Sequence, residues 1–255
     1  MELTFLRKMK HLLTIAITLL FLTSCKNELT FEEQSFSKKS DLPCKEDCPR
    51  VNVKIPFAKN VPIVSDSINK KIFSVMKEII YVGEKPYTST DYEGLLASFI
   101  KSYEEMQKQD PRDKFGWEAE IEGKVIYDTD SILDIELKHY TFTGGAHGYS
   151  GKRSLIFNPE TGKIIPDDKL FINSNVFRVF AEKKFRESYK IPANAPINAT
   201  GLMFEDEQFH LPQTYFFTDK GFLLYYNVYE IASYADGPKE LLIPYSEMKP
   251  YLAPR

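Results

Sequence analysis

YTFTGGAHGYS, residues 140–150, is a glycine-rich corner between two segments that are typical of β-strands. Residues 132–142 have the sequence ILDIELKHYTF, and residues 149–158 have the sequence YSGKRSLIFN. The three glycines of the corner permit positive φ angles and close approach of neighbouring chains. We therefore predict an irregular turn between adjacent strands, with a role that is mainly architectural.

The strands near this corner are predicted to be antiparallel, with one face in solvent. Apolar and charged residues alternate in WEAEIE, residues 117–122, and in LDIELK, residues 133–138. A period of two is typical of a strand that buries one face. The three glutamates of the first segment are therefore interpreted as a solvent face rather than as an acid/base or calcium site. His139 falls on the apolar side, which favours a hydrogen-bonded core histidine over a ligand.

Three segments have the periodicity of amphipathic helices. Residues 68–82 follow a predicted Ser/Asp cap at residues 65–67, and a second helix is predicted between Asp91 and Asp110. A third follows Ser174 as its predicted cap, over residues 176–190. Its predicted inward residues are Val176, Phe177, Phe180 and Phe185.

The order of the predicted elements indicates the fold class. An opening strand at residues 51–55 precedes two helices, the meander and the third helix, and a hairpin around residues 218–221 precedes a closing strand at 240–243. This order lacks the regular alternation of a doubly wound sheet. We predict an α+β fold, with antiparallel β-meander sheets packed with about three amphipathic helices.

The N-terminal segment, residues 1–24, has the pattern of a lipoprotein signal peptide. A basic stretch precedes an apolar run, and the sequence LTSC ends at Cys25. Small residues before a cysteine permit cleavage there and attachment of lipid to the thiol. A short membrane helix with an incidental cysteine is the alternative, but the apolar run is about half of the roughly 20 residues that a span needs. We therefore expect a lipid anchor at Cys25.

The anchor predicts a cell-envelope location, most consistent with the outer membrane. Residues 26–28, KNE, lack an aspartate after the cysteine, and the sequence leaves periplasmic and surface exposure open. Of 33 basic and 36 acidic residues, three basic and one acidic lie in residues 1–24, so 30 and 35 remain. This mildly acidic body gives no electrostatic reason to expect a nucleic-acid partner.

The residues after the anchor are predicted to be a flexible tether, residues 25–43, because they are polar and lack a sustained period. Cys44 and Cys48 are then predicted to form a disulfide, since an oxidising compartment favours it. A metal or redox site is the alternative, but no histidine or further cysteine lies nearby to complete a metal site. The folded body is predicted as an N-terminal α+β domain at 44–160 and a C-terminal α+β domain at 161–255.

A family resemblance is carried by three stretches of the second half. They are TGGAHGYSGKRSLIFNPETGKII at residues 143–165, DDKLF at 167–171 and YYNVYEIASYADGPKELLIPYSEM at 225–248. Together they resemble the RsiV-like family of extracytoplasmic domains, which is named from a lysozyme-sensing anti-sigma factor. The paired cysteines before VNVKIPFA, residues 51–58, and the meander resemble the smaller domain that usually precedes it.

The resemblance implies a binding role. The best-known member of the family binds lysozyme, and the preceding domain is also found attached to peptidoglycan deacetylases. The present sequence shows neither the transmembrane helix and sigma-binding segment of that member nor the metal-binding catalytic domain of those enzymes. The resemblance therefore does not imply signalling to a sigma factor, and it does not imply a cofactor or a metal.

Two functions are carried forward from the sequence. The first is a lipid-anchored envelope protein that binds a lysozyme-like muramidase or peptidoglycan and has no catalytic residues. Its candidate ligand contacts are His147, Tyr149, Tyr229 and Tyr234. The alternative is an envelope hydrolase that uses His147 with Asp134 or Glu136. No nucleophile or metal-binding motif accompanies His147, which favours the first function.

Overall fold

The computed structural model describes residues 28–44, 48–84, 86–109 and 115–254, and this part of the chain forms two β-sheets and five α-helices. Three of the helices are long and amphipathic, and most strand pairs are antiparallel, so the α+β prediction is confirmed. The signal peptide and Cys25 lie outside the described residues. The helices of the described part are all too short or too polar to cross a bilayer.

The first sheet has six strands in sequential order. They are β1 Thr30–Lys39, β2 Arg50–Lys59, β3 Glu118–Asp128, β4 Leu133–Phe142, β5 Tyr149–Asn158 and β6 Lys163–Ile164. Neighbours are antiparallel except β2 and β3, which run parallel. A parallel pair needs a crossover, and helices α1, Pro62–Ile80, and α2, Tyr92–Gln109, supply it. The predicted meander is therefore limited to β3 through β6.

Helices α1 and α2 cover one face of this sheet. The inward-facing aliphatic residues of β2 and the inward stripe of α1, such as Ile68, Ile72 and Met76, are buried there. Each such side chain contributes about 1.5–3 kcal/mol by leaving water. The helix begins at Pro62 rather than after the predicted cap at 65–67, because proline suits the first helical turn; its N-terminus has no side-chain cap, and Ser65 is buried within it.

The predicted tether contains a strand, which corrects that expectation. Strand β1 pairs with β2 along its whole length, from Thr30 opposite Lys59 to Lys39 opposite Arg50. Its phenylalanines pack against the first core, and the ring of Phe36 stacks on Tyr92 with centroids 4.6 Å apart. The sequence concealed this strand because Phe31 and Phe36 are an odd number of residues apart, so no period of two is visible.

The second half builds a smaller layer. Its elements are α3 Asp167–Leu170, α4 Ser174–Ser188, β7 Thr214–Thr218, β8 Gly221–Tyr226, β9 Lys239–Ile243 and α5 Tyr245–Met248. Strands β7, β8 and β9 form an antiparallel sheet around a core rich in phenylalanine and tyrosine. The first sheet extends to Ile164, four residues beyond the predicted domain cut after residue 160.

Helix α4 differs from the prediction at its first turn. Its N-cap is Asn173, whose side-chain oxygen accepts hydrogen bonds from the backbone N–H groups of Asn175 and Val176. Val176, predicted to point inward, is 54% exposed. The buried stripe runs instead through Phe177, Ala181 and Phe185 at intervals of four residues, and Val176 lies outside it.

The two sheets dock through polar groups as well as apolar packing. Asp134 of β4 is fully buried and accepts hydrogen bonds from Ser154 Oγ at 2.7 Å and from the backbone N–H of Phe217 in β7 at 2.8 Å. Asn227, just after β8, accepts from the Lys152 N–H at 2.7 Å and donates to the Lys152 carbonyl at 3.1 Å. Three of these four bonds cross between the sheets, from β4 to β7 and from β5 to Asn227, and they fix the second sheet relative to the first.

We expect Asp134→Asn to remove a pH dependence of stability. Burial raises the pKa of Asp134 to about 7, against about 3.9 in an unfolded chain. Because its pKa is higher in the folded state, protonated Asp134 stabilises the folded protein. This stabilisation is fully present below about pH 4 and is lost as the pH rises through 7. Between pH 5 and 8 the native protein should lose on the order of 2 kcal/mol of unfolding free energy relative to Asp134→Asn.

Urea unfolding at several pH values, followed by fluorescence of Trp117, measures this difference. Burial lowers the pKa of His139 to about 4, so that residue contributes an opposite slope at acidic pH. The slope is the same in both proteins and cancels in the comparison. Parallel stability curves for the two proteins would contradict the prediction.

Candidate functional site

A group of exposed and half-buried rings forms where the two halves of the chain meet. The aromatic cluster consists of Tyr140 at the end of β4, His147 in the glycine-rich corner, and Tyr229 and Tyr234 between β8 and β9. The rings of His147 and Tyr234 stack with centroids 4.1 Å apart, and those of Tyr229 and Tyr234 lie 5.6 Å apart. The docking of the two sheets therefore assembles this cluster from residues about 80 positions apart in the chain.

The corner provides space for the cluster through its glycines. Gly144 and Gly145 have φ angles of 101° and 90°, which side chains rarely adopt. Gly148 lies against the ring of Tyr140, where an added Cβ atom would be only 2.4 Å from the nearest ring carbon. The predicted positive φ angles and close approach are thus both present, and the close approach fixes Tyr140 beneath the corner.

Hydrogen bonds set the orientation of the His147 ring. Nδ1 lies 3.0 Å from the carbonyl oxygen of Gly148, and Nε2 lies 3.1 Å from the hydroxyl of Tyr229. A carbonyl oxygen only accepts, so Nδ1 carries the proton, and in the neutral ring Nε2 accepts from the Tyr229 hydroxyl. The imidazole therefore bridges the corner and the second sheet as a positioned ring.

Tyr229 projects from a constrained turn. Its φ angle is 68° and its side chain is 58% exposed. A positive φ is uncommon for a bulky residue and is maintained only when the surroundings determine it. Here the carboxylate of Glu230 accepts from the N–H groups of Asn227 and Gln213, at 2.9 and 2.8 Å. The turn is thereby fixed to the same Asn227 that docks the sheets.

Tyr149 lies beside the cluster rather than within it. It is 37% exposed and its ring faces His139 at 5.8 Å. Together with Tyr229 it lines a small pocket of about 250 Å³ next to Arg153 and Glu230. Of the four predicted contacts, His147, Tyr229 and Tyr234 are therefore brought together, and Tyr149 borders an adjoining pocket.

His139 is buried, as expected, but the expected hydrogen bond is missing at one of its two ring nitrogens. It is 6% exposed, and its Nδ1 atom has no hydrogen-bond partner among the described residues. Its pKa is lowered to about 4, first by burial and then by the charge of Arg153. A neutral ring packed between β3 and β5 tolerates the missing partner better than a charged one would.

A groove of about 500 Å³ adjoins the aromatic cluster on the sheet face opposite α1 and α2. Two cross-strand rows of side chains form its floor. One row is Ser37, Asn52, Glu120, Tyr140 and Ser150, and the next is Ser35, Lys54, Glu122 and Lys138. Tyr140 belongs to both the groove and the cluster, so the two form one continuous surface. The sequence interpretation placed Glu120, Glu122 and Lys138 on a solvent face and did not find the groove.

Most charges around the groove form ion pairs. The pairs are Arg50 with Glu118, Lys54 with Glu33 at 2.9 Å, Lys124 with Glu122 at 2.9 Å, and Lys152 with Glu136 at 2.9 Å. Contact with Lys124 lowers the pKa of Glu122, and contact with Glu33 raises that of Lys54. The surface is thus polar but nearly neutral, which suits a ligand with many hydroxyl or amide groups.

The predicted alternative, a histidine paired with a carboxylate, is not formed in the described part of the chain. Asp134 is bonded to Ser154 and Phe217, and Glu136 to Lys152. His147 bonds instead to the Gly148 carbonyl and Tyr229. Within residues 28–44, 48–84, 86–109 and 115–254, no group of three or more His, Cys, Asp or Glu residues is arranged to hold a metal ion.

Cys44 and Cys48 form a disulfide with Cα atoms 5.4 Å apart. It lies in the connection between β1 and β2, at the end of the sheet where β4 reaches the aromatic cluster. Cys25, the predicted lipidation site, lies outside the described residues.

Comparison with known proteins identifies two successive segments. Residues 42–150 match the family model described as Deacetylase PdaC, and residues 164–246 match that described as Protein of unknown function (DUF3298). No curated protein sequence matches the chain.

Two solved structures have a similar architecture. A DUF3298 family member from Bacteroides fragilis is 22% identical, with a TM-score of 0.65 over 90% of this chain and 96% of that one. A DUF3298 family protein from Pseudomonas aeruginosa is 20% identical, with a TM-score of 0.64 over 89% and 96%. At this level of identity the similarity shows a shared fold.

We expect Tyr229→Phe to change the environment of His147 without unfolding the protein. The hydroxyl contact is exposed, so its loss should cost no more than about 1 kcal/mol. The nitrogen-15 NMR signals of His147 should show the Nδ1–H tautomer in the native protein and a shifted Nε2 signal in the variant. Unchanged imidazole signals, or an Nε2–H tautomer in the native protein, would contradict the assigned hydrogen bonds.

Proposed function

We propose that this chain, which carries a PdaC-type domain followed by a DUF3298 domain, is a non-catalytic binding protein of the cell envelope. Its proposed ligand is cell-wall glycan. The observation that supports this most directly is the continuous surface formed by the groove and the aromatic cluster. Exposed rings offer flat apolar faces, and the groove offers hydroxyl, amide and charged groups. Ligand sites commonly combine apolar faces with a few positioned polar groups.

The architecture of the cluster favours binding over hydrolysis. Its histidine is bonded to a carbonyl oxygen and a tyrosine hydroxyl, whereas a general base needs a carboxylate or similar partner to orient it. The name of the first family refers to a deacetylase. In our proposal that domain contributes the groove and His147, and the DUF3298 domain contributes Tyr229 and Tyr234.

A lysozyme-like muramidase is a second candidate ligand. The resemblance to a lysozyme-sensing family supports it, and so does the excess of acidic residues in the body after residue 24. A net negative charge attracts basic proteins over a distance. The groove itself is nearly neutral, however. A neutral groove suits a glycan better than a basic protein, so the glycan remains the first candidate.

Lipidation of Cys25 belongs to the same proposal and has a geometric consequence. Five residue steps separate Cys25 from Thr30, so the start of β1 lies within about 18 Å of the lipid. Strand β1 then runs for ten residues, about 30 Å, towards Lys39. Lys39, Arg50, Glu118 and Phe142 are successive partners across the sheet, so the aromatic cluster lies at the end opposite the anchor. The binding surface is thus directed away from the membrane.

Glycan binding is expected to depend on the rings of the cluster. Calorimetry with chitotetraose should give binding that Tyr140→Ala and Tyr234→Ala each weaken about tenfold, through loss of stacking area. Tyr81→Ala, at the C-terminus of α1 on the opposite face of the sheet, is the matched control and should bind normally. Absence of binding by the native protein at millimolar sugar would exclude the glycan.

The same variants test the second candidate. If lysozyme binds in low salt, and Tyr140→Ala and Tyr234→Ala weaken that binding while chitotetraose does not bind, the ligand is the protein and the glycan proposal is wrong.

The orientation of the binding surface relative to the membrane can be measured on the lipidated protein in liposomes that contain nitroxide-labelled lipid. Ile63 is 84% exposed and lies three residues after Asn60, whose side chain donates to the Thr30 hydroxyl. A fluorophore at Ile63→Cys should be quenched several-fold more than one at Thr143→Cys, in the corner. Cys25→Ser removes the anchor and should abolish quenching at both positions. Equal quenching, or stronger quenching at Thr143→Cys, would contradict the proposed orientation.

A further inference from the structure

The groove floor carries one cation without an ion-pair partner. Lys138 is exposed near the middle of β4, and among the described residues no carboxylate lies within salt-bridge distance of its ammonium group. Glu122 is opposite Lys138 across the strands and attracts it electrostatically, but the Glu122 carboxylate makes its direct contact with Lys124 Nζ, at 2.9 Å. The neighbouring Lys54 and Lys152 are neutralised by Glu33 and Glu136. The groove therefore has at its centre an ammonium group that makes no direct ion pair with the described residues.

Hydroxyl groups surround this cation and are available as well. Ser35, Ser37, Ser150 and Tyr140 line the groove, and their side-chain hydroxyls make no hydrogen bonds within the described part of the chain. Ser150 pairs with Tyr140 in the row next to Lys138. A ligand in the groove would thus meet one ammonium group and several hydroxyl groups on the same floor.

We propose that Lys138 is the subsite for a carboxylate carried by the glycan ligand. An ammonium group presents three N–H donors and no acceptor, and a carboxylate is its natural partner. In this arrangement sugar hydroxyls contact the serine hydroxyls, and a pyranose ring lies against Tyr140 at the edge of the aromatic cluster. This inference rests on the proposed function and adds to it a preference for acidic over neutral saccharides.

The carboxylate has two sources in cell-wall material. It is either the lactyl acid of N-acetylmuramic acid or an acid of the attached peptide, in which case the lactyl group is an amide. Three probes separate these sources: N,N′-diacetylchitobiose, which has no carboxylate; the disaccharide of N-acetylglucosamine and N-acetylmuramic acid; and the same disaccharide with its peptide.

Calorimetry of the full lipid-free chain should show that the native protein prefers at least one acidic probe to chitobiose by roughly three- to fivefold, the size expected for an exposed ion pair. Lys138→Gln should abolish this preference, so that the acidic probes bind no more tightly than chitobiose. Lys138→Arg should retain it. Lys70→Gln, which removes the same charge from α1 on the helical side of the sheet, should have no effect.

The results also separate this inference from the proposed function. Equal binding of all three probes, or equal weakening of all three by Lys138→Gln, overturns the subsite and leaves glycan binding intact. Failure of every probe to bind overturns both. Narrowing of the preference between 0.05 and 0.5 M NaCl would further support an ion pair, since salt screens exposed charges.

Discussion

The docking of the second sheet onto the first depends on a buried polar contact. Asp134 accepts hydrogen bonds from Ser154 in its own sheet and from the Phe217 backbone in the other, and Asn227 forms two bonds to the Lys152 backbone. A buried polar group left without these partners would cost about 1–3 kcal/mol, so the contact permits few alternative arrangements of the sheets. Apolar packing stabilises the contact between the two sheets, and these hydrogen bonds fix the position of one sheet relative to the other.

The relative position of the two sheets brings the residues of the aromatic cluster together. Asn227 fixes the start of the turn that carries Tyr229, while the glycine-rich corner carries His147 from the first sheet towards it. The stacked pair of His147 and Tyr234 exists only because both segments reach the same edge. The groove is different in origin, because it is a property of the first sheet alone. The proposed binding surface thus combines a rigid sheet face with rings that depend on docking.

Much of the fold was predictable from periodicity. The second helix, the terminal hairpin and the strands on both sides of residues 140–150 were predicted because their patterns are long and regular. Strand β1 was missed because its two phenylalanines lie an odd number of residues apart, and the parallel pairing of β2 with β3 depends on a crossover that local pattern does not encode.

For the site, the glycines and tyrosines were visible in the sequence. The groove was not, since its rows join residues from five strands, and an alternating charged face looks the same whether it is concave or flat.

The central claim is that the groove and the aromatic cluster act as one binding surface across the two domains. Backbone chemical-shift mapping of the isotope-labelled, lipid-free chain during titration with chitotetraose tests it most directly. The account predicts shifts that saturate together at Tyr140 and Ser150 in the groove and at Tyr229 and Tyr234 in the second domain. Shifts confined to one domain, or located on helices α1 and α2, would contradict it.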